Sequence, residues 1–224
     1  MSTRESAAKL QMPASRDAQA DAPAVPSLRQ LRRSELPVDT TDLARFLIGK
    51  TLVHDVKNGR LSGRIVEAEA YPIGDAAAHS FIGPTARNRS LFLERGHAYV
   101  FFNYGAHWMM NVSAEQDGVG GGVLLRGLEP LEGVAIMERN RGITHLEGLT
   151  RGPGRLARAM QITKVQDGLD LCSSTSPLWL GTAMKPPGEI GITTRIGISK
   201  EAHRPLRFYE KGNPFVSGPR RLLV

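Results

Sequence analysis

Strict alternation of polar and apolar positions marks the segment from Ile65 to Tyr71, IVEAEAY. Side chains along a strand alternate between faces, so Ile65, Glu67, Glu69 and Tyr71 project one way and Val66, Ala68 and Ala70 the other. Upstream, TLVHDV runs into Asn58-Gly59 and then into a second apolar run. That pattern predicts a β-hairpin closed by a type I′ turn, whose two central residues need positive φ. The two acids therefore fall on an antiparallel strand. A face carrying two carboxylates is either solvated or lines a polar cleft, and the pattern alone does not choose.

The rest of the chain reads as short elements in series. Thr40-Thr41-Asp42 supply capping candidates for LARFLIG, a short helix closed by Gly49. Residues 72–96 form a long loop holding the basic triplet Arg87-Asn88-Arg89, and loops of that length in a compact domain usually serve function. HAYVFFNYGAHWMMNVSA, 97–114, predicts a second hairpin with Tyr104-Gly105 near its tip. A glycine-led strand, GVGGGVLLRGLEP, ends near Arg126, and Leu131 to Arg141 predicts a helix. In RGPGRLARAMQIT, Gly and Pro open a helix that displays Arg155 and Arg158. A helix start offers free N–H groups to an anion, so this is either a phosphate seat or an ordinary surface helix start. Strand-like pieces return in PLWLG, IGITTRIGI and PLRFYE, with turns at Gly188, Gly212-Asn213 and Gly218-Pro219.

Composition narrows the setting. Residues 1–36, rich in Ala, Ser, Pro and charge, read as a disordered tail ahead of a single domain over 37–224. They do not read as a secretory signal, and no apolar run approaches the ~20 residues of a membrane helix. The single cysteine, Cys172, excludes an intrachain disulfide framework. A reducing, intracellular location follows as the expectation, in the bacterial cytoplasm and nucleoid or in a nucleus. The net charge of +7 is uneven: residues 151–224 hold 12 Lys and Arg against 5 Asp and Glu, whereas residues 37–150 hold 11 against 13. A basic surface beside a near-neutral region suits a polyanion, although a high isoelectric point also serves solubility alone.

The chemistry on offer is limited. Six histidines, 54, 79, 97, 107, 145 and 203, show no metal-ligand spacing, so no metal or other cofactor is expected. Cys172 lies in a polar stretch without a mark of activation, and no Gly-x-Ser-x-Gly elbow occurs. Carboxylate acid-base chemistry beside aromatic rings remains, the inventory of an enzyme acting on a nucleobase or a sugar.

Seven ordered motifs then carry a resemblance: Glu67-Ala68-Glu69-Ala70-Tyr71, Ala78-His79-Ser80, Arg87-Asn88-Arg89, Tyr99 through Tyr104-Gly105, Met110-Asn111, Leu124-Leu125-Arg126 with Leu128-Glu129-Pro130, and Pro205-Leu206-Arg207-Phe208-Tyr209. From about residue 40 to 218 the chain resembles the alkyladenine (3-methyladenine) DNA glycosylase family. The resemblance implies an enzyme that rotates a damaged purine out of duplex DNA and cuts its N-glycosidic bond with water, acting as a monomer without a lyase step. It makes Glu69 the base that activates water, with Glu67 supporting, Arg126 beside the water and the Ile196 carbonyl a further contact. Tyr71, His79 and Phe101 fall at stacking positions, with Ala77 in the same pocket. Asn111 falls where the 2-amino group of guanine is crowded out. Tyr104 matches the wedge that fills the gap in the duplex; Gly154, Arg155 and Arg158, at the predicted helix start, are the further residues expected to contact DNA. Two departures lie in the pocket: Phe101 stands where human-type members usually have tyrosine, and the loop between Tyr71 and His79 is one residue shorter. Elements and resemblance together predict a mixed α+β single domain with a curved, mainly antiparallel sheet, flanking helices and a protruding β-hairpin. A non-catalytic binder of distorted duplex and a hydrolase of free nucleosides are the rival readings.

Overall fold

An antiparallel sheet organises the chain in this computed structural model, which describes residues 27–103 and 105–219. Its strands are β1 (Thr51–Val56), β2 (Gly59–Tyr71), β3 (Ala98–Asn103), β4 (His107–Ser113), β5 (Gly122–Glu132), β6 (Leu178–Gly181), β7 (Ile190–Thr193) and β8 (Arg207–Glu210). The order is β3-β4-β5-β2-β1-β6, with β8 pairing to β2 and β7 to β8. Four α-helices flank it among the described residues: α1 (Thr40–Leu47), α2 (Val134–Arg141), α3 (Leu146–Thr150) and α4 (Pro153–Ala159). The predicted mixed α+β class and single curved sheet therefore hold.

The long strand β2 is the axis of the site. One edge pairs with β5 along most of its length, while the other pairs first with β1 and then, from Glu67 to Glu69, with β8. Residues 61–70 are buried without interruption, so the two acids do not lie on a wet face. The β2–β5 ladder is irregular at this point. Ile65 faces Leu128, Glu67 faces Gly127 and Ala68 faces Leu125, leaving Val66 and Arg126 without a cross-strand partner. Bulges of this kind bend a strand and re-aim side chains, and here they accompany the meeting of Arg126 with both acids.

Several expected elements are adjusted. Helix α1 is capped by Asp39, whose carboxylate accepts from the N–H groups of Thr41 (2.8 Å) and Asp42 (2.9 Å), rather than by Thr40 to Asp42. In the first hairpin Val56 pairs with Gly59, so Lys57 and Asn58 form the turn; Gly59 takes φ 134° while Asn58 keeps a negative φ, which excludes the type I′ geometry. Strand β5 runs on to Glu132, and helix α2 starts only after Gly133, where a Cβ would stand 2.4 Å from the Arg60 carbonyl oxygen. Helix α3 was not predicted, and within IGITTRIGI only Ile190–Thr193 is strand.

The packed region also begins before residue 37. Leu31 and Leu36 are buried, the Leu31 N–H donates to the Leu180 carbonyl at 2.8 Å, and Arg33 pairs with Asp170 at 2.6 Å. Residues 27–36, expected as tail, thus cover the β6 end of the sheet. The second hairpin joins β3 to β4 through residues 104–106, with Asn103 opposite His107; Tyr104 itself lies outside the described residues.

Candidate active site

A cavity of about 440 Å³ opens where β2, β3, β4 and β5 meet the loops 76–80 and 196–200. Seven of the predicted residues line it: Tyr71, Ala77, His79, Phe101, Asn111, Arg126 and Ile196. Pockets of this size and mixed lining suit small flat ligands.

The floor is a buried ionic cluster. Glu69, with no exposed surface, accepts from the Ile196 N–H (2.8 Å) and the Tyr71 hydroxyl (3.0 Å) and forms an ion pair with Arg126 Nη1 (3.2 Å). The carboxylate thus lies just beneath the lining, and all three partners face the cavity. Ile196 reaches it through its amide nitrogen, where the family resemblance had brought its carbonyl into play. Burial pushes the Glu69 carboxyl above the ordinary range; Arg126, the Ile196 N–H and the Tyr71 hydroxyl oppose that shift without overcoming it, and neighbouring Glu67 adds to it. Burial likewise raises the Tyr71 phenol, so it stays a donor at neutral pH.

Glu67 is occupied differently. It accepts from Arg207 Nε (2.7 Å), Arg126 Nε (3.0 Å), and the N–H (2.6 Å) and hydroxyl (3.0 Å) of Ser217. These partners come from β8, β5 and the chain beyond residue 210, so Glu67 fastens three segments together. Strand alternation places both acids on one side; their partners separate them.

The walls are aromatic. His79 and Phe101 meet edge to face with ring centres 4.5 Å apart, and Phe101 stacks on Tyr99 at 5.4 Å. His79 Nδ1 lies 2.9 Å from the Tyr99 hydroxyl, and the Asn88 side chain donates to the His79 carbonyl at 2.8 Å. Burial, aided by nearby Arg87, lowers the His79 pKa, which favours the neutral ring. Phe101 carries no hydroxyl, and the phenol beside His79 belongs to Tyr99.

The predicted DNA-contacting group is more dispersed. Pro153 touches the cavity, but Gly154, Arg155 and Arg158 do not line it. Gly154 packs against β4, where a Cβ would stand 2.8 Å from His107 Cβ. Arg155 and Arg158 are exposed, the latter tied back to the Asn140 carbonyl at 2.8 Å. Tyr99, Arg195, Arg207 and Ser217 support the site without having been singled out as site residues. Tyr99 and Arg207 lie within the ordered motifs, and for Arg195 the signal was a lone arginine within the otherwise uncharged run IGITTRIGI.

Comparison with known proteins shows the family. The sequence profile of the methylpurine-DNA glycosylase family matches residues 34–214. A curated relative from Mesorhizobium japonicum is 62% identical over 86% of this chain and 92% of its own length. Relatives from Paraburkholderia phytofirmans (54% identical, 87% and 91% coverage) and Koribacter versatilis (45%, 87% and 96%) follow. All three are provisionally named 3-methyladenine DNA glycosylases.

Proposed function

The chain belongs to the methylpurine-DNA glycosylase family, and on that footing we propose that it excises alkylated purines from duplex DNA by Glu69-assisted attack of water. The observation that carries the reading is the fully buried Glu69 carboxylate, held by Arg126, Tyr71 and Ile196 under a cavity with aromatic walls.

Hydrolysis of an N-glycosidic bond passes through an oxocarbenium-like sugar. Water adds to C1′, the C1′–N bond breaks with its electron pair passing to the purine, and a water proton passes to Glu69. The ionised carboxylate also faces the positive charge that grows on the sugar. A purine alkylated at N3 or N7 is already cationic, so the incoming pair neutralises it and it departs without an acid. Arg126, shared between Glu67 and Glu69, orients the reactive carboxylate.

The damaged base enters the cavity after rotation out of the duplex and lies against Tyr71, His79 and Phe101, with Ala77 leaving room beside them. Stacking on such rings is worth about 1–3 kcal/mol per base. Asn111 crowds the 2-amino group of normal guanine. Tyr104, which follows β3 in the sequence, fills the vacated space, which offsets the unstacking cost. Gly154, Arg155 and Arg158 meet the DNA backbone.

Replacing Glu69 with Gln preserves shape while removing the base. Glu69→Gln is expected to bind a duplex carrying one 7-methylguanine as wild type does, and to release free base at least ~10²-fold more slowly. Chromatographic detection of released base beside a binding titration checks this; normal turnover by the variant overturns the assignment. Wild-type protein that binds the lesion but never releases base would instead mark a non-catalytic binder.

A further inference from the structure

Behind the cavity wall lies a second buried ion pair that the proposed chemistry does not use. The side chains of Arg195 and Asp75 have no exposed surface and pair with each other. Arg195 Nη1 also donates to the Ala70 carbonyl at 3.0 Å, Nη2 reaches the Glu201 carbonyl at 3.4 Å, and the guanidinium carbon stands 4.5 Å from the centre of the Tyr71 ring. Its Nε has no hydrogen-bond partner. Asp75 accepts the Ala77 N–H at 2.9 Å on its other oxygen, and its carbonyl accepts the Ala78 N–H at 2.9 Å. That turn carries Ala77 and His79 to the cavity. The residue after Arg195 is Ile196, donor to Glu69.

A buried ion pair is a weak source of stability, because desolvation offsets the attraction, and an unpartnered buried Nε adds to the cost. Its use here is geometric. One planar guanidinium touches the end of β2, the turn at Asp75 and the back of Tyr71, while its own backbone sets the donor to Glu69. We infer that Arg195 is a positioning residue for base excision, holding Tyr71, the Asp75–His79 turn and the Ile196–Glu69 hydrogen bond in one register. Its partner Asp75 opens the turn that delivers His79 to the cavity, so the clamp also sets where His79 stands. The inference rests on Glu69 being the base.

The test is single-turnover base release from a 7-methylguanine duplex across pH, beside binding to a duplex carrying a tetrahydrofuran abasic-site analogue. Arg195→Met is expected to bind the analogue as wild type does and to react about 10²-fold more slowly, the scale of a small misplacement of reacting groups. The acid limb of its pH profile should move to higher pH, because both contacts that favour ionised Glu69 slacken. Arg195→Lys keeps the cation but not the fork and should fall between the two. If Arg195→Met fails to fold, Asp75→Asn removes the ion pair while keeping an acceptor for the Ala77 N–H, and should show the same shift of the limb. A folded variant whose rate constant and pH limb match wild type overturns the inference, as does a loss confined to the fraction of active molecules. Wild type that releases no base overturns the Glu69 reading instead.

Discussion

A single carboxylate bears most of the functional argument, and its setting has a measurable thermodynamic signature. Burial holds the Glu69 carboxyl above its unfolded value, so the fold favours the protonated form. Its contribution to stability is fully present below the unfolded pKa and is lost as pH rises through the raised one. Glu69→Gln removes that titration. Its melting temperature relative to wild type should therefore climb as pH rises above the ordinary carboxylate range, and a difference that does not vary with pH overturns the assigned direction. Under the proposed mechanism activity runs the opposite way, since only an ionised carboxylate takes a proton from water: the wild-type rate should rise with pH along an acid limb above the ordinary carboxylate range. The functional form is thus the less stable one, a compromise frequent at catalytic sites. Alternation along β2 identified both acids; it did not tell them apart, because their difference lies in partners at residues 126, 196, 207 and 217.

At the scale of elements, β2 is held on both edges, and Glu67 is the fastener at the point where the β5 ladder slips. Removing it leaves Arg126 and Arg207 without their shared carboxylate in a buried place. Glu67→Ala should cost about 3–5 kcal/mol in urea denaturation, the range for breaking a buried pair, and a loss within error overturns this structural role. The hairpins were legible because Asn-Gly and Tyr-Gly interrupt apolar runs of strand length. The turn geometry at Lys57-Asn58 was not, since the loop closes one residue earlier than the dipeptide suggests. The end of β5 was misplaced for a related reason: Leu131 and Glu132 suit helix or strand by propensity, and pairing with β2 decides.

The whole molecule carries its excess charge in its last third, where Arg155 and Arg158 stand exposed on α4, whose first residue, Pro153, touches the cavity. Affinity for lesion duplex should fall steeply with salt. Arg155→Ala and Arg158→Ala should each reduce the slope of log K against log[salt] by about 0.9 if each neutralises one phosphate. An unchanged slope removes that residue from the contact set. No described helix is long and apolar enough to cross a membrane.

Read alone, the chain determined the hairpins, the helix behind Asp39, the antiparallel class and, through ordered motifs, a family. These depend on local period, turn chemistry and residue order, all written along one dimension. Tertiary structure decided which partners each acid has, placed residues 27–36 in the packed region, turned Ile196 toward Glu69 by its N–H and built the Arg195–Asp75 clamp. Each of these joins residues far apart in sequence, Glu69 with Ile196 and Asp75 with Arg195. The energy of such a contact depends on burial and direction, which the linear pattern does not contain.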